Sequence, residues 1–269
     1  MTENHLLTEK KGCAFHIVLN RPDKRNAMPF EMLPEICRLV EEQLTDPEVR
    51  CVIIRGAGKV FSAGVDFNSL ASLVGRFMAD HAAGGASIRA DIGQFQHYLN
   101  RLEAIELPII CAMHGRVFGM ALELALACDI RLMDTACRWC LPELKFGLVA
   151  DLGGTARLSR TIGPARAMEA LMTGRQYSAE QAMAWGLVNA LYPESELVSA
   201  AEALADDIAK MAPIAVGATK AIVQKGIDQA LSNQLDMEAS LQSILLRTED
   251  FQEGIKALME GRAPIWQCK

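Results

Sequence analysis

The chain has no long hydrophobic run: the longest, Val117–Cys128, spans twelve residues and contains Glu123. A membrane span needs about twenty apolar residues, so no membrane partner is expected. The opening MTENHLLTEKKG lacks an apolar core followed by a small-residue cleavage site, and no signal peptide is expected either. Basic charge is scarce, with 27 Lys and Arg against 33 Asp and Glu, a net charge of −6. A general nucleic-acid binder carries the opposite balance. An anionic ligand must therefore be met by local donors, not by the field of the whole molecule. Ten prolines and twenty glycines are scattered without a repeat, which excludes collagen-like and low-complexity chains.

Paired cysteines are missing as well. The eight cysteines stand singly except for Cys137-Arg138-Trp139-Cys140, which has no second pair or histidine cluster to complete a zinc site. That tetrad reads as a strand, where alternate directions keep thiols from converging. No metal is implied. Scattered buried thiols fit a cytoplasmic protein.

What is present is a globular chain of 269 residues, 51% of them apolar. From Ala14 to about Met133, short apolar runs at Phe15–Leu19, Val52–Ile54 and Ile109–Ala112 read as strands. Between them, 31–44 and 86–105 carry apolar residues at helical spacing, the second through Ile88, Ile92, Phe95, Tyr98, Leu99 and Leu102. Strand and helix in alternation argue for an α/β body of stacked βαβ-type units. The Gly- and Ala-rich stretch 69–87 is weakly patterned and reads as a loop. Beyond Leu152 the spacing predicts helices over 155–162, 165–172, 179–185, 194–211, 214–228 and 234–260, with one strand at 187–191. A body of residues 1–200 followed by a helical region, 201–269, is expected.

Three stretches are candidates for chemistry. Gly56-Ala57-Gly58 follows a strand, but the third glycine of a dinucleotide turn would fall on Phe61, and Ser62 lacks the glycine two positions before it that a nucleophile elbow needs. In 117–128, Glu123 is the single charge of a segment apolar on every side, which places a carboxylate in the interior with a raised pKa. Perturbed carboxylates cluster at functional sites; the alternative is an ion pair with a distant arginine. Gly119 lets backbone approach the start of that helix, whose free N–H groups favour negative charge. The third stretch, Phe61-Ser-Ala-Gly-Val-Asp66, is a small-residue loop after a strand and by itself no more than a turn. Glu143 and Asp151 are weak candidates alone.

Taken together, these segments resemble the enoyl-CoA hydratase/isomerase family, the crotonase fold. Leu19-Asn-Arg-Pro-Asp-Lys-Arg-Asn-Ala27 is similar to its opening motif, and 61–66 to its adenine and first oxyanion loop. His114-Gly115, Gly119, Glu123-Leu124 and Cys128-Asp129 resemble its central signature. Pro142-Glu143, Gly153-Gly-Thr-Ala-Arg-Leu158, Thr173-Gly174, Ala184-Trp-Gly-Leu-Val188 and Glu249-Asp-Phe-Gln-Glu-Gly254 follow in the family's order. The resemblance implies a spiral of ββα units with a helical C-terminal trimerisation region, and a homotrimer or dimer of trimers. It implies an acyl-CoA substrate, with coenzyme A entering as part of that substrate and no separate cofactor. The thioester carbonyl would accept backbone N–H bonds from Val65 and Met120. Lys24, Arg25, Ala27, Ala63 and Asp66 fall where the family's CoA contacts lie. Glu123 and Glu143 fall on the two acid/base positions of the hydratases.

Two departures leave the activity open. Met120-Ala121 stands where the family commonly continues a glycine triplet. Asp151 stands where hydratases usually have glycine, and an acid there is a mark of the dienoyl-CoA isomerases. Those isomerases, however, usually carry Asp at the position of Glu123. Hydration of a 2-enoyl-CoA is the leading expectation and Δ3,5-Δ2,4-dienoyl-CoA isomerisation the alternative. A non-catalytic acyl-CoA-binding member is a further alternative, against which the retention of Glu123, Glu143 and Asp151 argues.

Overall fold

Near-continuous apolar runs are the signature of strands covered on both faces, and they build the larger sheet of the computed structural model, which describes residues 5–79 and 84–269. Its strands are Leu6–Lys11 (β1), Ala14–Leu19 (β2), Cys51–Gly56 (β3) and Ile109–Met113 (β4). Arg116–Phe118 (β5) leaves it, Ile130–Asp134 (β6) rejoins it, and Arg138–Cys140 (β7), Tyr177–Ser178 (β8) and Ala190–Tyr192 (β9) complete the set. The larger sheet runs β1-β2-β3-β4-β6-β9 and the smaller β5-β7-β8. Only the β1–β2 hairpin is antiparallel in the larger sheet; every later pair is parallel.

Parallel neighbours require crossovers. Met32–Glu42 (α1), Phe67–Ala79 (α2), Gly84–Ala104 (α3) and Met120–Leu126 (α4) provide them. The chain thus climbs in turns of strand, strand and helix, the spiral that the motifs implied. Alternation along β3 divides the interior. Val52 and Ile54 face a large core shared with α1, α3 and α4, while Cys51 and Ile53 face a second, smaller core. Gly154–Ile162 (α5), Pro164–Thr173 (α6) and Ala179–Trp185 (α7) follow, and Leu197, Ala201 and Ala205 of Glu194–Ala209 (α8) close the second core. Helix α8 spans residue 200 and packs on the second core on both sides of it. Pro213–Gly226 (α9), Leu231–Leu245 (α10) and Glu249–Glu260 (α11) form the outlying helices.

Three expectations need correction. The stretch read as a loop over 69–87 is largely helical: α2 runs to Ala79 and α3 begins at Gly84, while positions 80–83 lie outside the described residues. Asp66 starts α2 by accepting the N–H of Asn68 at 2.9 Å, and Leu73 turns inward, so capping and one apolar anchor outweigh the glycine content. The single helix expected over 234–260 is two, because Thr248 ends one and caps the next by accepting the N–H of Phe251 at 3.1 Å. The strand expected at 187–191 is β9, three residues later, since Leu187 closes the turn after α7 by donating its N–H to Ala182.

Candidate active site

Two backbone segments run side by side at the end of the spiral. Ser62 donates its N–H to Arg116 O at 3.0 Å and accepts from Phe118 N at 3.3 Å, so loop 61–66 lies along β5. Gly64, with φ +97°, presses so close that a side chain there would meet Phe118 O at 2.7 Å and the Gly119 α-carbon at 3.8 Å. Gly119 is itself left-handed, φ +54°, and opens α4. The amides that follow these glycines, Val65 and Met120, are thus brought to neighbouring strands of backbone. Among the described residues neither N–H has an acceptor. Met120 keeps its side chain inside the core, at 4% exposure.

A third segment is tied to the first two. Met28 donates to Gly64 O at 2.8 Å, Asp66 donates to Met28 O at 2.9 Å, and Ala63 donates to Arg25 O at 2.9 Å. This places the exposed cations Lys24 and Arg25, with half-buried Ala27 and Ala63, beside the Val65 amide. Asn26, buried and with φ +52°, holds the loop by donating to Ala57 O and Val60 O, each at 2.8 Å. Asp66 has a different task from the rest: its carboxylate pairs with Arg21 at 2.7 Å and caps α2, so the side chain is committed within the protein.

The carboxylates meet on the other side of Gly119. Glu123, one turn into α4, is 2% exposed. Its Oε1 accepts the N–H groups of Leu152 and Gly154, each at 2.9 Å. Arginine does not neutralise it. Arg157, the nearby candidate, instead donates to Leu152 O at 2.9 Å and to both oxygens of Glu103 at 2.8 Å. Burial, then the neighbouring Glu143 carboxyl and to a lesser degree Asp151, push the Glu123 pKa up to about 8, against the lowering effect of the two amides. Glu143 opens a short 3-10 turn, Glu143–Phe146, after β7. A side chain on Gly119 would lie 2.7 Å from Glu143 Oε1, so that carboxyl rests on the start of α4. Its Oε2 is buried without a hydrogen-bond partner, and burial with the Asp151 charge raises the pKa to about 7. Burial raises Asp151 too. Phe67, next to Asp66, and Phe146, at the end of the Glu143 turn, are both exposed and meet edge to face at 5.8 Å, leaving apolar surface beside these segments.

The structure brings together the three acids and the two amides named from the sequence, and it adds Gln96, Arg157 and the amides of Leu152 and Gly154, to which the sequence reading gave no role. On the sequence, only the arginine within the 153–158 motif marked that cluster. Among the described residues no three His, Cys, Asp or Glu side chains converge as metal ligands.

Three carboxyls that cannot all ionise cheaply stand beside two amides without acceptors, an arrangement chemically able to hold a proton next to donors for a negatively charged oxygen. The sequence profile of the enoyl-CoA hydratase/isomerase family matches residues 9–269, and the chain belongs to that family. A peroxisomal Δ3,5-Δ2,4-dienoyl-CoA isomerase of Arabidopsis thaliana is 32% identical over 253 residues, covering 93% of this chain and 91% of its own. A probable enoyl-CoA hydratase of Mycobacterium bovis is 33% identical over 264 residues, 98% of each chain. The crystal structure of enoyl-CoA hydratase from Bacillus anthracis superposes with a TM-score of 0.89 at 30% identity, covering 99% of this chain and 100% of that one.

Proposed function

We propose that this protein hydrates 2-enoyl-CoA thioesters. The observation that carries the reading is the pairing of Glu123 and Glu143 across Gly119, next to the amides of Val65 and Met120. In this reading the thioester oxygen accepts both amides, an oxyanion hole whose donors act on charge that develops only in the transition state, each worth about 3–4 kcal/mol. With pKa values near 8 and 7, the two glutamates hold between one and two protons at neutral pH, so a state with one ionised and one protonated is well populated. The ionised member removes a proton from water as its oxygen bonds to C3, and the protonated member delivers its proton to C2. The unpartnered Glu143 Oε2 is the natural seat for that water. The adenine and phosphates of CoA lie along the loop that carries Lys24 and Arg25, contacting Ala27, Ala63 and the Asp66 turn through backbone.

Exposed Leu231, Leu235, Ile244, Leu258 and Met259 on α10 and α11 suit a homotrimer or dimer of trimers. Eight free thiols suit a cytoplasmic, reducing setting. Among the described residues no helix is long and apolar enough to cross a membrane.

Asp151 favours a second reading. Its charge bears on both glutamates, so Glu143 and Asp151 could shuttle a proton along a conjugated dienoyl chain. Glu123→Gln and Asp151→Asn, each assayed on crotonyl-CoA, longer 2-enoyl-CoAs and a 3,5-dienoyl-CoA, separate the two. Hydration lost in the first and kept in the second supports the hydratase. A wild-type enzyme that isomerises the diene, loses this with Asp151→Asn and hydrates no enoyl-CoA establishes the isomerase. Binding without any turnover establishes a non-catalytic member.

A further inference from the structure

The loop that grips Glu123 is itself gripped from behind. The carbonyls of its three peptide groups, from Asp151 to Gly154, are all held on the side away from Glu123. In the 151–152 peptide the N–H of Leu152 donates to Glu123 Oε1 at 2.9 Å, while Asp151 O accepts from Gln96 Nε2 at 2.5 Å. In the 152–153 peptide, Leu152 O accepts from Arg157 Nη1 at 2.9 Å. In the 153–154 peptide the N–H of Gly154 donates to Glu123 Oε1 at 2.9 Å, and Gly153 O accepts from Arg157 N at 2.8 Å. A trans peptide is planar, with its N–H and C=O pointing opposite ways. Whatever holds the carbonyl therefore sets the aim of the amide.

Helix α3 supplies the anchor. Gln96, Asn100 and Glu103 lie four and three residues apart, on one face. Gln96 takes the Asp151 carbonyl, while Asn100 Oδ1 at 2.5 Å and both Glu103 oxygens at 2.8 Å hold the Arg157 guanidinium. Arg157 is 9% exposed, and Gly153 leaves the guanidinium room where any side chain would collide with it. None of these groups touches Glu123.

We propose that Gln96, acting through the 151–152 peptide, is a positioning residue that aims the Leu152 amide at Glu123 and so sets the acidity of that carboxyl. The proposal rests on the reading of Glu123 as an acid/base group, but its test does not. Donation from Leu152 N–H favours the ionised carboxyl. The other charged groups bearing on Glu123 are the Glu143 and Asp151 carboxyls, both of which favour its protonated form. With the Gln96 donor removed, the 151–152 peptide loses the hold on its carbonyl, the Leu152 donation weakens, and Glu123 ionises at higher pH.

The test is an infrared difference titration of the full-length protein without substrate, the Glu123 carboxyl band being identified by its loss in Glu123→Gln. Gln96→Met keeps length and helix propensity while removing the donor, and should raise the Glu123 ionisation by about 0.5–1 pH unit. Gln96→Lys keeps a donor for the same carbonyl and should not raise it. With an active enzyme, Gln96→Met should also lower kcat several-fold, move its pH profile in the same direction and leave affinity for CoA unchanged. A folded Gln96→Met protein whose Glu123 band titrates as in wild type overturns the proposal, as does a Gln96→Lys protein that shifts upward by as much. A shift in a protein that turns over no thioester would refute the hydratase reading and leave the anchor standing.

Discussion

Replacing Glu123 by Gln separates the energetic burden of an interior carboxylate from its chemistry. Glutamine keeps an oxygen for the Leu152 and Gly154 amides and carries no charge at any pH. The wild-type carboxyl is 2% exposed, with its pKa pushed from 4.5 up to about 8. A group raised in this way leaves stability intact below its unfolded pKa and weakens the fold as pH climbs through the native value. At about 1.4 kcal/mol per pH unit, that interval bounds the loss at about 5 kcal/mol once Glu123 is fully ionised. Solvent reaches the half-buried Glu143 and Asp151 and screens their share, so an advantage of about 2–3 kcal/mol is expected for the variant at pH 9. In a chain of this size that corresponds to roughly 4–12 °C in Tm. Scanning calorimetry from pH 5 to 9 should show the two proteins diverging between pH 5 and 8 and running parallel above, while the variant loses about 100-fold or more in kcat. Curves that stay parallel from pH 5 upward would refute the account of Glu123 as a costly buried acid.

Gly154→Ala puts a methyl 2.8 Å from Glu123 Oε1 and 2.7 Å from the Ala150 side chain, so one of them must move. Activity should fall about tenfold or more and stability by about 1–3 kcal/mol, with CoA affinity retained; stopped assays and calorimetric titration together check this. The double change Lys24→Gln, Arg25→Gln should weaken acetoacetyl-CoA binding several-fold and flatten its salt dependence, and affinity unaltered from low to high salt would exclude these cations from phosphate binding. Light scattering at micromolar concentration should report three or six copies, a stable monomer being the adverse result.

The sequence carried the strands of the spiral because β2, β3 and β4 are apolar on both faces, and it carried Glu123 because one charge interrupted twelve apolar residues. It did not carry the partners of that charge. Leu152 and Gly154 act through backbone, and their direction depends on side chains some 55 residues away on α3. Gln96 sits on an amphipathic helix among other polar residues, where a side chain that grips a carbonyl has the same spelling as one that faces water. Helix α2 was hidden for the opposite reason. Its composition spoke for a loop, and only the cap at Asp66 and the seating of Leu73 decide otherwise.

The amides of Val65 and Met120 belong to the main chain, with consequences for how this protein can change over generations. Any residue but proline donates the same N–H at those two positions, so long as Gly64 and Gly119 preserve the turn. These two donors are therefore inherited with the fold, whereas the apolar surface at Phe67 and Phe146 is made of side chains open to substitution. If those two amides hold the thioester oxygen, as proposed above, lineages of this chain can explore new acyl groups one residue at a time without passing through an ancestor that has lost that grip.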